Sequence, residues 1–410
     1  MSTRIQMTTA PPPSDPNLRL SGLDALRGVA AVMVMMFHYT TRYDEKFGHR
    51  TATAFSVPWG HLGVNLFFMI SGFVIFMTLE RTTRPTDFLI SRFSRLFPAY
   101  WVAVAMTFST LAVFPELGKE VSLMQAIENA LMFQGLLGIA NIDSVYWTLE
   151  VELLFYWAMF FLWLAGGFAR PARWIAAWLA LCIGFGLARR AGHELPYLIS
   201  HMLILPYFAY FALGILLYSH FRTRAFRWSI EGALGAMAFA AIILIDSPER
   251  VLWACGFVAV FFLFTTGAGS SRLVVWVSKV GAISYPLYLL HENMGWTLIW
   301  HLEAHGMGSN ASIALTCVAA IALAVVMRVA VEKPAMLAIR GWRKRKPSSV
   351  PSIQTGSERR RWIVGALMIG VLVLVGNRLT QHSANARATG PKHAVTSERV
   401  MDATPLRIDP

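Results

Sequence analysis

Ten apolar segments, spaced by short polar links, limit what this chain can fold into more than anything else in it. They run approximately over 23–43, 60–80, 97–115, 145–167, 172–189, 198–219, 229–246, 251–268, 282–302 and 311–332. An eleventh, 362–377, follows a basic stretch that contains Ser and Pro. Segments of this length suit the ~30 Å hydrocarbon core of a bilayer. Lipid offers no partners to backbone N–H and C=O groups, so each span must satisfy them internally, as a helix does. The expectation is an all-α fold: a polytopic transmembrane helical bundle of ten core spans plus one additional C-terminal span. The eleventh is at the short end for a span. Only 14% of the residues are charged, against about 25% in a soluble domain.

Basic residues alternate between the links. One set of links holds Arg81, Arg84, Arg92 and Arg95, then Arg170 and Arg173, then Arg222, Arg224 and Arg227, then Arg272 and Lys279. The other set is richer in acid, with Asp44, Glu45, Glu116, Asp143, Glu249 and Glu303 among others; Arg189 and Arg190 break the pattern. Cytoplasmic loops carry the excess of Lys and Arg. This places the N-terminus in the cytoplasm and the C-terminus outside it. Residues 1–19, with Pro11, Pro12 and Pro13, read as a disordered cytoplasmic tail, and no cleavable signal peptide is visible. Residues 20–335 form the main transmembrane domain, 336–361 a basic cytoplasmic linker, 362–377 the additional helix and 378–410 a disordered extracytoplasmic tail. The net charge of +13 belongs to loops beside anionic lipid rather than to nucleic-acid binding. Cys182, Cys255 and Cys317 each lie in an apolar run, which fits neither a disulfide framework nor a metal-ligand spacing.

The stretch Leu20–Thr40 carries the first chemistry. Arg27 is followed by ten uncharged residues and then His38. On a helix their eleven steps are about 1100°, close to three full turns, and about 16 Å of rise. Arg27 and His38 therefore share one face, with His38 near mid-bilayer if Arg27 is near the surface. An ionisable group at that depth points to a polar cavity or a transport path. The plainer reading is a cytoplasmic anchor and a helix end at an interface. Asp24, one turn before Arg27, is counted with the substrate-binding candidates.

Four further stretches stand out. His61 and Asn65 share a helix face, and Gly63 and Gly72 would let another helix approach closely; ordinary packing accounts for them. Arg92 and Arg95 are three apart in RTTRPTDFLISRFSRLFPAYW, which suits a helix on the inner membrane surface. Paired guanidinium groups bind phosphates well, and they also anchor to lipid headgroups. The fourth segment opens SVYWTLEVELLFYW, with Tyr146, Trp147, Glu150 and Glu152. That cluster resembles a carbohydrate-binding wall, or an interfacial aromatic belt. In VGAISYPLYLLHENMGW, Pro286 loosens the helix and His291 sits midway, either functional or hydrogen-bonded as a structural residue. The link 116–144 holds LMQAIENALMFQGLLGI, amphipathic enough for an interfacial or re-entrant helix. No GxSxG, HExxH or P-loop is present, and Tyr43 stands where an H-x4-D acid would be.

The pieces LDALRGVAAVMVMMFH (23–38), GVNLFFMISGF (63–73), SRFSRLFPAYW (91–101), YWTLEVELLFY (146–156) and ISYPLYLLH (283–291) run in the order of the acyltransferase 3 family of bacterial membrane acyltransferases, which the chain resembles. The resemblance implies O-acylation, normally acetylation, of cell-envelope or exported sugars, in the bacterial inner membrane. Acetyl-CoA or another acyl-CoA would be the cytoplasmic co-substrate, with no permanently bound cofactor and no metal. It makes Arg27 and His38 the family's arginine and histidine, and matches Arg92 and Arg95 to its basic motif, with Ser91 where many members have Arg. Glu152 matches the family's Glu; Glu150 stands where a Ser is common. The extra segment resembles the linker span of members fused to an SGNH hydrolase-like domain. Residues and resemblance together nominate His38, Arg27 and Glu152 for catalysis, and Arg27, Arg92 and Arg95 for the donor phosphates. Asp24, Tyr146, Trp147, Glu150 and His291 are nominated for the acceptor, a carbohydrate or lipid-linked glycan. The alternative class is an exporter or flippase for an acylated or lipid-linked glycan, which also needs polar groups at mid-membrane.

Overall fold

The structure is a computed structural model that describes residues 16–223, 230–266 and 272–345. Among these residues every regular element is a helix. Helix α1 (Pro16–Phe37) runs into a single π-helical turn, His38–Arg42, and a short α2 (Tyr43–Phe47). Single π turns interrupt helices where a side chain must be re-aimed, and this one begins at His38. Then follow α3 (Gly63–Glu80), α4 (Pro85–Val113), α5 (Leu123–Asn129), α6 (Trp147–Leu164), α7 (Pro171–Arg190) and α8 (Tyr197–Met202). The rest are α9 (Phe208–Thr223), α10 (Glu231–Ile245), α11 (Pro248–Thr266), α12 (Arg272–Ala282), α13 (Ser284–Leu290), α14 (Glu292–Ala304), α15 (Ser309–Met327) and α16 (Lys333–Arg345).

Helix α1 is central, packed against α12, α3, α11 and α13. Without a hydrophobic drive between helices in lipid, such packing relies on small residues that bring backbones together. A Cβ on Gly63 would lie 2.6 Å from the Ala30 carbonyl oxygen, and one on Gly28 would lie 2.7 Å from that of Val277. Helix α3 is apolar on all sides and lies between α1, α9 and α6.

Among the described residues five helices are long and apolar enough to cross a membrane: Pro58–Glu80, Pro85–Val113, Ser144–Leu164, Pro171–Arg190 and Ser309–Trp342. Several expected segments differ in form. The surface helix expected around Arg92 and Arg95 and the span expected after it are one 29-residue helix, α4, which starts at Pro85 and carries Pro98 inside it. The arginines thus stand on its first turns and enter the bundle. The segment 198–219 is broken between α8 and α9, where Ile204 takes a positive φ of 45°. The segment 282–302 is divided into α12, α13 and α14. Pro286 has no N–H to give the Ala282 carbonyl, and the Arg328 guanidinium donates to that oxygen instead. Of LMQAIENALMFQGLLGI only Leu123–Asn129 is helical. The segment 362–377, the tail 378–410 and residues 1–15 lie outside the described residues.

Candidate active site

Helices α1, α3, α4, α6 and α13 line a partly open cavity of about 70 Å³. Arg27, Arg92 and Arg95 line it, with Ser71, Glu152 and Tyr288. The three guanidinium groups are poorly matched by acid. Arg27 donates to Asp24 Oδ1 at 3.1 Å. Arg92 donates to Ser91 Oγ at 3.2 Å, and its Nε is buried without a partner. Its guanidinium lies over the rings of Phe88 and Tyr156. Arg95 lines the cavity, forms no ion pair among the described residues, and repels both Arg27 and Arg92. Glu152 accepts hydrogen bonds from Ser71 Oγ at 2.8 Å and from the Tyr156 hydroxyl, so two hydroxyls hold it. Buried Glu332, on the turn after α15, acts electrostatically on Arg95 and Arg27, and its nearest base is Arg328 at 3.9 Å. Unpaired like charges held together are costly; an anion placed among them removes that cost.

Tyr288 joins this cavity to a second group. Its ring packs 5.7 Å from that of His291, and its hydroxyl lies 2.6 Å from Thr148 Oγ1. His291 Nε2 lies 3.2 Å from His38 Nδ1. The tautomers follow from the remaining partners. His291 Nδ1 is 2.9 Å from the Tyr288 carbonyl oxygen, and His38 Nδ1 is 2.9 Å from that of Val34. Carbonyls only accept, so both Nδ1 atoms carry hydrogen and His291 Nε2 accepts a share of the His38 Nδ1–H. Among the described residues the His38 Nε2 lone pair has no hydrogen-bond partner. The His38 carbonyl accepts from Trp296 Nε1 at 2.9 Å, and the Tyr39 hydroxyl donates to the His291 carbonyl at 2.8 Å.

An acid pair lies beside the histidines. Glu292, next in sequence to His291, accepts from Ser144 Oγ and from the Val145 N–H, and acts electrostatically on His38. Burial and the Glu292 charge push the Asp143 carboxyl well above its usual range.

The structure brings Arg27, Arg92, Arg95 and Glu152 to one cavity and sets His38 against His291. Asp24 borders that site through Arg27. The other candidates face elsewhere. Glu150 accepts from the N–H groups of Gly135 (2.8 Å) and Leu136 (2.9 Å), and lies 3.2 Å from His201 Nε2. It pins the turns after α5, where each buried N–H left unpaired would cost about 1–3 kcal/mol. Tyr146 is fully buried, donates to the Leu289 carbonyl and packs on Tyr100. Trp147 packs against Phe68 and Tyr207. Tyr288, Glu292, Asp143, Trp296 and Glu332 were not among the residues nominated for the site from the sequence. Glu292 carried a usable signal, an acid inside an apolar segment. Tyr288 did not, since a tyrosine there reads as packing.

Residues 20–329 match the family model described as an acyltransferase domain, acyltransferase 3. The exopolysaccharide production protein ExoZ of Rhizobium meliloti (strain 1021) is 33% identical over 150 residues, 34% of this chain and 41% of that protein. Protein 2 in the picA locus of Rhizobium radiobacter is 37% identical over 89 residues, 20% of this chain and 41% of that protein. The acyltransferase MdmB of Streptomyces mycarofaciens is 26% identical over 369 residues, 78% of this chain and 92% of that protein. The match therefore spans less than half the length of the first two relatives. No solved structure matches the chain. With the matched model covering three quarters of its length and the arginine cavity and histidine pair inside the matched part, the chain belongs to the acyltransferase 3 family.

Proposed function

We propose that this protein is a membrane O-acyltransferase that moves an acyl group, acetyl first among them, from acyl-CoA to a hydroxyl of a cell-envelope or exported carbohydrate. The observation that carries this reading is the connection, through Tyr288, of three guanidinium groups to a histidine pair with a free Nε2 lone pair. Arg27, Arg92 and Arg95 hold the phosphates of the donor. The ~16 Å from Arg27 to His38 is comparable with the reach of a pantetheine arm, which delivers the thioester to His38. His38 Nε2 takes the proton of the acceptor hydroxyl as its oxygen attacks the thioester carbonyl. The C–O bond forms, the C–S bond breaks, and the imidazolium returns the proton to the departing thiolate. Glu292 lies where its charge favours the imidazolium while it exists. The relative described as an exopolysaccharide production protein supports a polysaccharide acceptor.

In this reading the arginine cavity opens to the cytoplasm and the protein sits in the bacterial inner membrane, with the N-terminus inside and the C-terminus outside. Reporter fusions at Ser14 and Gly390 are expected on opposite sides; finding both on one side would remove the span at 362–377 or the segment count. The function itself is tested with purified protein in detergent, where no gradient exists. Acceptor-dependent release of free CoA from acetyl-CoA is expected. Absence of both transfer and donor hydrolysis, with glycan movement in vesicles, would make the protein an exporter.

A further inference from the structure

The loop after α2 is tied to α14 by a histidine that the chemistry above does not use. His49 Nδ1 lies 2.7 Å from Glu303 Oε1, and its Nε2 lies 2.9 Å from the Tyr39 carbonyl oxygen. Both side chains are buried, 2% and 1% exposed. Glu303 Oε2 also accepts the Arg50 backbone N–H at 3.1 Å. Hydrogen bonds from Thr51 to Ser309 and from the Ala54 N–H to Asn310 lace the same loop to the start of α15.

The partners of His49 settle how many protons the pair holds. A carbonyl only accepts, so Nε2 carries hydrogen. A carboxylate also only accepts, so a second proton lies between Nδ1 and Oε1. A neutral imidazole supplies one N–H, not two. The pair is held by one extra proton, whichever of the two atoms carries it. Without that proton a nitrogen lone pair faces a carboxylate, and the contact opens.

What the pair holds in place is the turn that carries His38. Two consecutive carbonyls of that turn accept side-chain donors: His38 from Trp296, Tyr39 from His49. Trp296 and Glu303 are seven residues apart on α14, hence on one face. Between these two points the Tyr39 hydroxyl reaches the His291 carbonyl. Helix α14 thus grips the turn directly through Trp296 and, through Glu303, by way of His49.

We infer that His49 and Glu303 are positioning residues for acyl transfer, their shared proton fixing the Tyr39 carbonyl and with it the direction of the His38 ring. This rests on the reading of His38 as the base. The groups facing His49 are Tyr43 from α2, its ring 4.7 Å away, Asp44 and Arg50 from the adjoining chain, and Glu303 from α14. Lys46 lies over the Trp296 ring.

The experiment compares His49→Ala, Glu303→Ala and Glu303→Gln in the full chain, measuring kcat, donor KM and melting temperature with acetyl-CoA. The alanine variants are expected to lose about tenfold or more in kcat, because small misplacements of a reacting group are costly, with donor KM within about twofold. Glu303→Gln is expected to keep kcat within about threefold, since its amide N–H donates to Nδ1 of a neutral ring and its oxygen still accepts from Arg50. Wild-type kcat in folded His49→Ala overturns the inference, as does a fall shared equally by kcat, donor binding and melting temperature. A loss of about tenfold or more in kcat in folded Glu303→Gln, which keeps both hydrogen bonds, overturns it even if the alanine variants do not fold. Full activity in His38→Ala would instead overturn the base on which it rests.

Discussion

His38→Ala is expected to lower acyl transfer by about 10²–10⁴-fold, the range for loss of a general base, in a protein that still folds. Both halves of this expectation come from the same few bonds. The ring of His38 gives its one N–H to Val34 and His291 and keeps the Nε2 lone pair for substrate. Alanine removes that lone pair, and the lone pair freed on His291 Nε2 stays where it met His38 Nδ1 rather than where His38 Nε2 stood. The fold depends on the backbone of His38 more than on its ring. Its carbonyl accepts from Trp296 Nε1 and from the Tyr43 N–H, and alanine keeps that carbonyl. His291→Ala is expected to cost less. It removes one of two acceptors for the His38 Nδ1–H and leaves the Val34 carbonyl in place. The wild-type rate is also expected to fall as pH drops, since protonated His38 has no lone pair to offer. The check is transfer by both purified variants, normalised to folded protein by melting temperature. Activity of His38→Ala within a factor of a few of wild type would take the base away from His38.

The sequence carried the helices and one face of the site better than it carried the breaks. Arg27 and His38 could be placed on one face because helix geometry is regular over eleven steps. The π turn at His38 was not legible, because its first two carbonyls meet the side chains of Trp296 and His49, contacts that helix periodicity does not reveal. Helix α4 was read as two elements because its amphipathic start and apolar end look unlike; Pro98 is accommodated in one continuous helix, which tertiary packing permits. Glu150 and Glu152 show the limit most clearly. Both are intramembrane acids two residues apart, equally suspicious by cost. They point to different places on α6, so one reaches the arginine cavity and the other serves a turn of the chain. Only the fold can say which, since the turn's N–H groups become unpaired donors through its irregular path.

The double variant Arg92→Ala with Arg95→Ala is expected to raise the KM for acyl-CoA by about 10²-fold or more while kcat changes far less. Each charge-assisted contact contributes about 1.5–3 kcal/mol, and two at the lower end already give about two decades. The lower end applies because Arg95 is half-buried and partly screened. Phosphates are bound alike in the ground and transition states, so the loss falls on KM. Stability gives an independent check. Neither guanidinium forms an ion pair among the described residues, and each repels the other. Removing both relieves that repulsion, so the melting temperature without ligand is expected to hold or rise. Added acyl-CoA should then raise the melting temperature of wild type, by linkage to binding, and leave the double variant nearly unmoved. Raising the salt should weaken donor binding in wild type and matter little in the variant. A double variant that keeps the wild-type donor KM would assign these arginines to lipid headgroups, because a guanidinium held at the bilayer surface and one held on a nucleotide differ only in which phosphate they give up.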